Sequence, residues 1–206
     1  PRPSRRGRGG GPADHAASAT VGFAPISEYV STRASLDEAI GDAPPVAVSG
    51  IAVQPWDGAN AEGLFGDLYA MSLAAFAGNR FYKPIDRTAF LSLYRPILPA
   101  LDPRLILFAR DEAGRLAGFL FALPDRLEGA GPRTVILKTY ARARRGGGHL
   151  LTAALHRRAR APGYADVLHA LMHVDNISRE RSSRHRAHTF RRYALMGRRL
   201  GSGPPG

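Results

Sequence analysis

The sequence predicts a mixed α/β domain, and three observations carry that expectation. Residues 104–123 alternate apolar and polar around a turn at Asp111, Glu112, Ala113 and Gly114, the pattern of a β-hairpin. The apolar run Val135, Ile136 and Leu137 reads as a buried strand, with a second such stretch at residues 167–174. Between them, Gly146, Gly147 and Gly148 lead into Leu150, Leu151, Ala154 and Leu155, which recur at helical spacing.

Taken in order, residues 1–19 combine Arg2, Arg5, Arg6 and Arg8 with glycine and proline, too little apolar surface for a core, and predict a disordered basic tail. Residues 20–46 hold a short strand pattern from Val21 to Thr32 and a linker with Pro44 and Pro45; the strand reads as an extra edge strand. The main domain is expected over residues 47–200, beginning with a strand at Ile51 and Val53. A helix follows from Ala59 to Asn79, with a stripe of Leu64, Leu68, Met71 and Ala75. A second helix around Asp86 to Leu98 carries Phe90, Leu91 and Tyr94, and Pro96 limits its end. Arg80, Phe81, Tyr82 and Lys83 form the loop between them. Beyond the strand at 167–174, Asp175, Asn176, Ile177 and Ser178 cap a short basic helix, Phe190 to Leu200 reads as the last strand, and residues 201–206 form a flexible tail.

The turn after Leu137 carries the chemistry. A strand that passes through glycines into a helix leaves N–H groups unpaired at a positive dipole end. Glycine lets a bulky anion approach those amides, and Arg142, Arg144 and Arg145 add full charges beside them. The physical reading is a phosphate or pyrophosphate cradle, against the plainer one of an arginine-rich surface turn. A P-loop is excluded, because His149 and Leu150 stand where lysine and a hydroxyl belong. A dinucleotide fingerprint is disfavoured by Leu151 at its third small position.

Order of elements and turn together resemble the GNAT superfamily of acyl-CoA-dependent N-acetyltransferases, over roughly residues 47–200. That family's loop reads Arg/Gln-x-x-Gly-x-Gly/Ala directly after the central strand. Two registers fit in part: Arg144 and Gly147 put His149 at the third position, and Gly146 and Gly148 put Ala143 at the first. The resemblance implies a GNAT-type, mostly antiparallel central sheet with flanking helices and acetyl-CoA as co-substrate. It assigns cofactor binding to Leu137, Thr139, Tyr140, Arg142, Arg144, Arg145, Gly146, Gly147, Gly148 and Asn176, with the thioester beside Tyr140. The helices after the first strand would wall the pocket for an amine acceptor, a small molecule or a peptide. Members of the family often place a tyrosine about seven residues beyond the asparagine; Ser183 stands there in this chain. His173 is the candidate general base and Tyr193 the candidate acid. Gly22 and Phe23 resemble the residues before a closing GNAT strand, which implies the alternative that residues 20–46 are the remnant of a preceding half. The chain then reads as the C-terminal half of a longer or tandem protein, consistent with a first residue, Pro1, that is no natural start.

Composition bounds the alternatives. At 206 residues one domain is expected, and such a chain buries roughly 70% of its unfolded surface. There is no cysteine, which excludes disulfides, thiolate metal sites and a cysteine nucleophile. No apolar run approaches the ~18 residues of a membrane span, so a cytoplasmic protein with no membrane partner is expected. The formal charge of +12 raises nucleic-acid binding through the arginine tail and residues 179–199 as an alternative function. Lys83 and Lys138 are the only lysines, however, and such arginine use fits a GC-rich, bacterial genome. A degenerate half with a scaffolding role is the third reading. No metal is expected: His169 and His173 share one face of a regular strand but stand about 13 Å apart, and His185 and His188 have no third ligand nearby. No Gly-x-Ser-x-Gly elbow exists for a serine hydrolase. Asp125 and Glu128 are acidic residues that could receive a cationic acceptor.

Overall fold

Apolar strands that alternate around tight turns can satisfy their backbone only by pairing, and here they pair into one sheet. The computed structural model describes residues 12–41, 49–78, 81–142, 147–175 and 186–199. Among them are strands β1 (Ala24–Ser35), β2 (Ile51–Pro55), β3 (Ile106–Asp111), β4 (Leu116–Pro124), β5 (Thr134–Arg142), β6 (Asp166–His173) and β7 (His188–Gly197). The helices are α1 (Pro12–Thr20), α2 (Leu36–Ile40), α3 (Ala61–Phe76), α4 (Arg87–Tyr94) and α5 (Gly147–Arg160). The sheet order is β2-β3-β4-β5-β6-β1-β7. Every neighbouring pair is antiparallel except β5–β6, which is parallel and joined through α5.

Local chemistry sets the element ends. The β3–β4 turn closes because the Asp111 carboxylate accepts from the Ala113 and Arg115 amides at 3.1 and 2.9 Å, while Gly114 takes φ +75°. Asp86 caps α4 through the Ala89 amide at 2.8 Å. Pro96 and Pro99 then turn the chain into a 3₁₀ segment over Arg95–Ala100. Asn60 caps α3 through the Gly63 amide at 3.0 Å from a left-handed backbone, φ 47°. A Cβ on residue 63 would press against the Asn60 side chain that makes this cap.

Two cores sandwich the sheet. On one face α5 and α2 bury Leu151, Leu155, Ala159 and Leu36 against Leu107, Leu120, Val135 and Val167. On the other, α3 and α4 bury Leu64, Phe65, Leu68 and Phe90 against Ile106, Phe108, Phe119 and Phe121. Tyr94 stands edge-on to Phe121, ring centres 5.9 Å apart, and burial raises its phenol pKa. Among the described residues no helix is long and apolar enough to cross a membrane.

Two expectations for the N-terminal region are corrected. The tail expected to be disordered through residue 19 forms α1 from Pro12, where alanine-rich sequence favours helix; residues 1–11 lie outside the described residues. The strand expected at an edge lies inside the sheet. β1 pairs with β6 on one side and β7 on the other, and its Val30 and Ala34 are almost fully buried. The Arg33 guanidinium donates to Asp166 at 2.7 Å and binds β1 to β6, and this bond raises the arginine pKa further. The sheet edges are β2 and β7. The 42–48 linker, the basic helix expected after Asp175 and the 201–206 tail lie outside the described residues.

Candidate functional site

The parallel ladder between β5 and β6 holds for four positions, from Thr134 opposite Asp166 to Leu137 opposite His169. Beyond Leu137 the strands have different partners. β5 continues to Arg142 along β4, and β6 continues to His173 along β1. Both strands change register where they part. On β5, Phe121 and Ala122 of β4 face Thr139 and Leu137, so Lys138 is one residue extra. On β6, Val30 and Thr32 of β1 face Met172 and His169, and Leu171 takes a left-handed backbone, φ 48°. An extra residue bends a strand and raises its twist. Bulges on both sides of one junction therefore open the sheet, and the β5 backbone from Lys138 to Arg142 lacks a β6 ladder partner among the described residues.

At the head of this opening α5 begins. Its first residue, Gly147, follows β5 after four residues. Leu151 and Leu155, wholly buried, hold the helix against the sheet and so fix where its N-terminus lies. The first amides of any helix lack internal partners and carry the positive dipole end. Gly148 belongs to this first turn, and its carbonyl accepts from Thr152 Oγ1 at 2.8 Å. The fold thus brings Leu137, Thr139, Tyr140 and Arg142 to the parted section of β5, and Gly147 and Gly148 to the helix start. Arg144, Arg145, Gly146 and Asn176 lie outside the described residues.

His173 and Tyr193 share a row that sequence reasoning did not find. Tyr29 of β1 faces His173 on one side and Tyr193 on the other. Two strand spacings of ~4.8 Å separate the backbones of His173 and Tyr193 by roughly 10 Å, with Tyr29 between them. The Tyr29 and His173 rings meet edge to face, centres 5.3 Å apart at 87°. His173 Nδ1 accepts the Asp175 backbone N–H at 3.1 Å, while the Asp175 carboxylate stays 3.7 Å away. Ser31 Oγ accepts the Leu171 amide at 3.1 Å and pins the β6 bulge. Nothing in the sequence near His173 points to Tyr29, because the pairing is decided by strand order.

The bulge also corrects the placement of His169. It faces Thr32, whereas His173 faces Tyr29, so the two histidines stand on opposite faces of the sheet. His169 is instead buried against His156 of α5, with Nε2 atoms 3.4 Å apart and rings stacked at 11°. In that contact one ring donates and the other accepts.

The two acidic residues that could receive a cationic acceptor have structural work. Glu128 accepts from Thr134 Oγ1 at 2.6 Å and from the Arg133 and Thr134 amides at 2.7 and 2.9 Å, closing the loop before β5. These bonds hold its carboxyl below the usual range. Asp125 accepts from the Leu127 amide at 3.1 Å. Both sit at the start of β5, away from the opening at its other end. Tyr82 packs on Phe76 with ring centres 6.0 Å apart, and Phe81 is exposed. A separate cleft of about 460 Å³ lies at the β2 edge, lined by Gln54, Trp56, Asp57, Asn60, Asp67 and Arg110 among others; none of the residues expected in the site line it.

Solved structures share this fold. A GCN5-related N-acetyltransferase from Sphaerobacter thermophilus superposes with a TM-score of 0.66 at 18% identity, covering 90% of this chain and 56% of that one. The chain has the GNAT fold. A tandem GNAT protein from the clavulanic acid biosynthesis pathway matches with a TM-score of 0.62 at 16% identity, over 94% of this chain and 60% of that one. The glucosamine N-acetyltransferase region of a fungal multi-domain β-N-acetylglucosaminidase matches at 0.61 and 16%, over 89% of this chain and 22% of that one. The chain therefore spans little more than half the length of the first of these GNAT-fold proteins. No family model and no curated protein matches.

Proposed function

We propose that the protein is an N-acetyltransferase that moves an acetyl group from acetyl-CoA to an amine. The observation that carries this is the parting of β5 and β6 with a glycine-led helix N-terminus at its head. An extended backbone paired with β4 on one side and without a β6 ladder partner among the described residues on the other suits the pantetheine arm, which is itself a chain of amides. The helix start, with Gly146, Gly147, Gly148 and the flanking Arg142, Arg144 and Arg145, suits the pyrophosphate. Leu137, Thr139 and Tyr140 would border the pantetheine and thioester, and Asn176 would hydrogen-bond the pantetheine or the loop beyond β6. In the reaction the neutral amine attacks the thioester carbon, the oxygen gathers charge, and the C–S bond breaks as that charge returns. The proton lost by the amine balances the thiolate that leaves. A backbone N–H of β5 near Tyr140 would stabilise the oxyanion, a role that depends on geometry rather than side chain. Of the two candidate side chains, His173 lies on β6 beside the opening, and Tyr193 lies on edge strand β7 with Tyr29 of β1 between them.

Gly147→Asp tests this reading. An acidic residue in the first turn suits the helix dipole, so the fold should persist while a carboxylate meets the pyrophosphate. Titration calorimetry with acetyl-CoA should give heat for the wild type and none for the variant. Equal affinity would remove the cradle from the proposal.

One observation favours a second reading, non-enzymatic binding of nucleic acid. Residues 186–199 carry Arg186, Arg191, Arg192, Arg198 and Arg199 with no acidic residue. Phe190, 45% exposed on edge strand β7, has the Arg191 guanidinium 5.5 Å from its ring. That reading requires association that falls steeply with salt and no heat with acetyl-CoA.

A further inference from the structure

We infer that His173 acts as a fixed hydrogen-bond donor at the mouth of the opening, not as the general base its residue type suggests. The assignment of the reacting atoms rests on the acetyltransferase reading; the tautomer does not. A neutral imidazole has one nitrogen that donates and one that accepts. Here Nδ1 accepts the Asp175 backbone N–H at 3.1 Å. That amide cannot turn its hydrogen away, so Nδ1 is held without a proton and the ring proton resides on Nε2. The Asp175 side chain does not compete, with its oxygen at 3.7 Å and 87% exposure. The same backbone bond and the perpendicular Tyr29 ring hold the imidazole in one orientation.

The chemical consequence follows from proton balance. An Nε2 that already carries hydrogen has no lone pair to take the amine's proton. Nor can it surrender that hydrogen, since the product would be an imidazolate. What remains is a hydrogen bond to charge that develops nearby, on the thioester oxygen during attack or on the sulfur as the C–S bond breaks. The proton itself passes from amine to thiolate through water. Held rigid before the reaction, such a donor needs no reorganisation when the charge appears. Tyr29 is then a positioning residue, contributed by the strand that lies farthest from β6 in sequence.

Two measurements on the full chain decide this. Long-range ¹H–¹⁵N spectra read the His173 tautomer directly, with His173→Gln identifying its signals by their loss. Nε2–H is expected; Nδ1–H overturns the proposal whether or not acetyl-CoA binds. Turnover then separates donor from base. A glutamine amide can place a donor near the position of Nε2 but cannot act as a base. His173→Gln should keep acetyl transfer within about tenfold of wild type, while His173→Leu loses roughly 10²- to 10³-fold. A general base would instead make both variants lose ~10²- to 10⁴-fold alike, and that result overturns the proposal. Calorimetry on the same proteins separates the readings: absence of acetyl-CoA binding by the wild type removes the transferase function and leaves the tautomer assignment to stand or fall on the spectra.

Discussion

Val30→Ala asks whether the N-terminal strand belongs to this sheet. Val30 is fully buried on β1, opposite Met172 on one side and Arg192 on the other. The substitution removes two carbon groups, about 1.6 kcal/mol at ~0.8 kcal/mol each. A cavity closed in by strands on both sides collapses poorly, which brings the expected loss to about 2–3 kcal/mol. For a domain of this size each kcal/mol lowers Tm by roughly 2–4 °C, so a fall of about 4–12 °C should follow. Glu28→Ala serves as the control: Glu28 is exposed on the same strand, and its loss should change stability by less than about 0.5 kcal/mol. Thermal and urea unfolding followed by circular dichroism measure both. Equal midpoints for Val30→Ala, Glu28→Ala and wild type would refute the placement of β1, because a loosely attached segment has no core to lose.

Three further outcomes can be checked by similar means. Glu128 has a lowered pKa because three hydrogen bonds favour its ionised form in the folded state. Its contribution is therefore complete above the ordinary carboxylate range and lost as pH falls through the lowered folded value; Glu128→Gln should flatten the decline in urea midpoint between about pH 6 and pH 3. Asn60 combines a cap with a left-handed backbone, so Asn60→Ala should cost about 2 kcal/mol, while Asn60→Gly, free of the backbone strain, should cost only a few tenths. Gly63→Ala should destabilise by displacing the Asn60 side chain, and Asn60→Gly should relieve much of that cost in the double variant, as a double-mutant cycle would report.

Much of the fold was legible from local pattern. Val135, Ile136 and Leu137 marked β5 because an apolar β-branched run reads as a strand, with Val135 and Leu137 buried and Ile136 half-buried, and Leu151 and Leu155 marked the buried stripe of α5 because helical period aligns them. The strand-turn-helix unit that frames the candidate site was therefore visible. What local pattern cannot encode is strand order: the same β-prone residues from Val21 to Thr32 suit an edge or an interior position, and the partners that decide it lie beyond residue 165. Helix α1 was missed because arginine, glycine and proline of the first eleven residues obscured the alanine-rich stretch after them. The left-handed backbone at Leu171 gave no warning, since leucine rarely adopts it, and it moved His169 and His173 to opposite faces. The His156–His169 contact and the Tyr29–His173 row both depend on that placement. The bond from the Asp175 amide to His173 is a main-chain contact, and no side-chain identity announces it.

Backbone hydrogen exchange with and without acetyl-CoA tests the opened sheet most directly. Amides from Lys138 to Arg142 and in the first turn of α5 should slow when acetyl-CoA is added, while those of Thr134 to Leu137, already tied to β6, should hold their rates. Unchanged exchange at the parted strand, or protection confined to the cleft at the β2 edge, would contradict an acyl-CoA groove between β5 and β6.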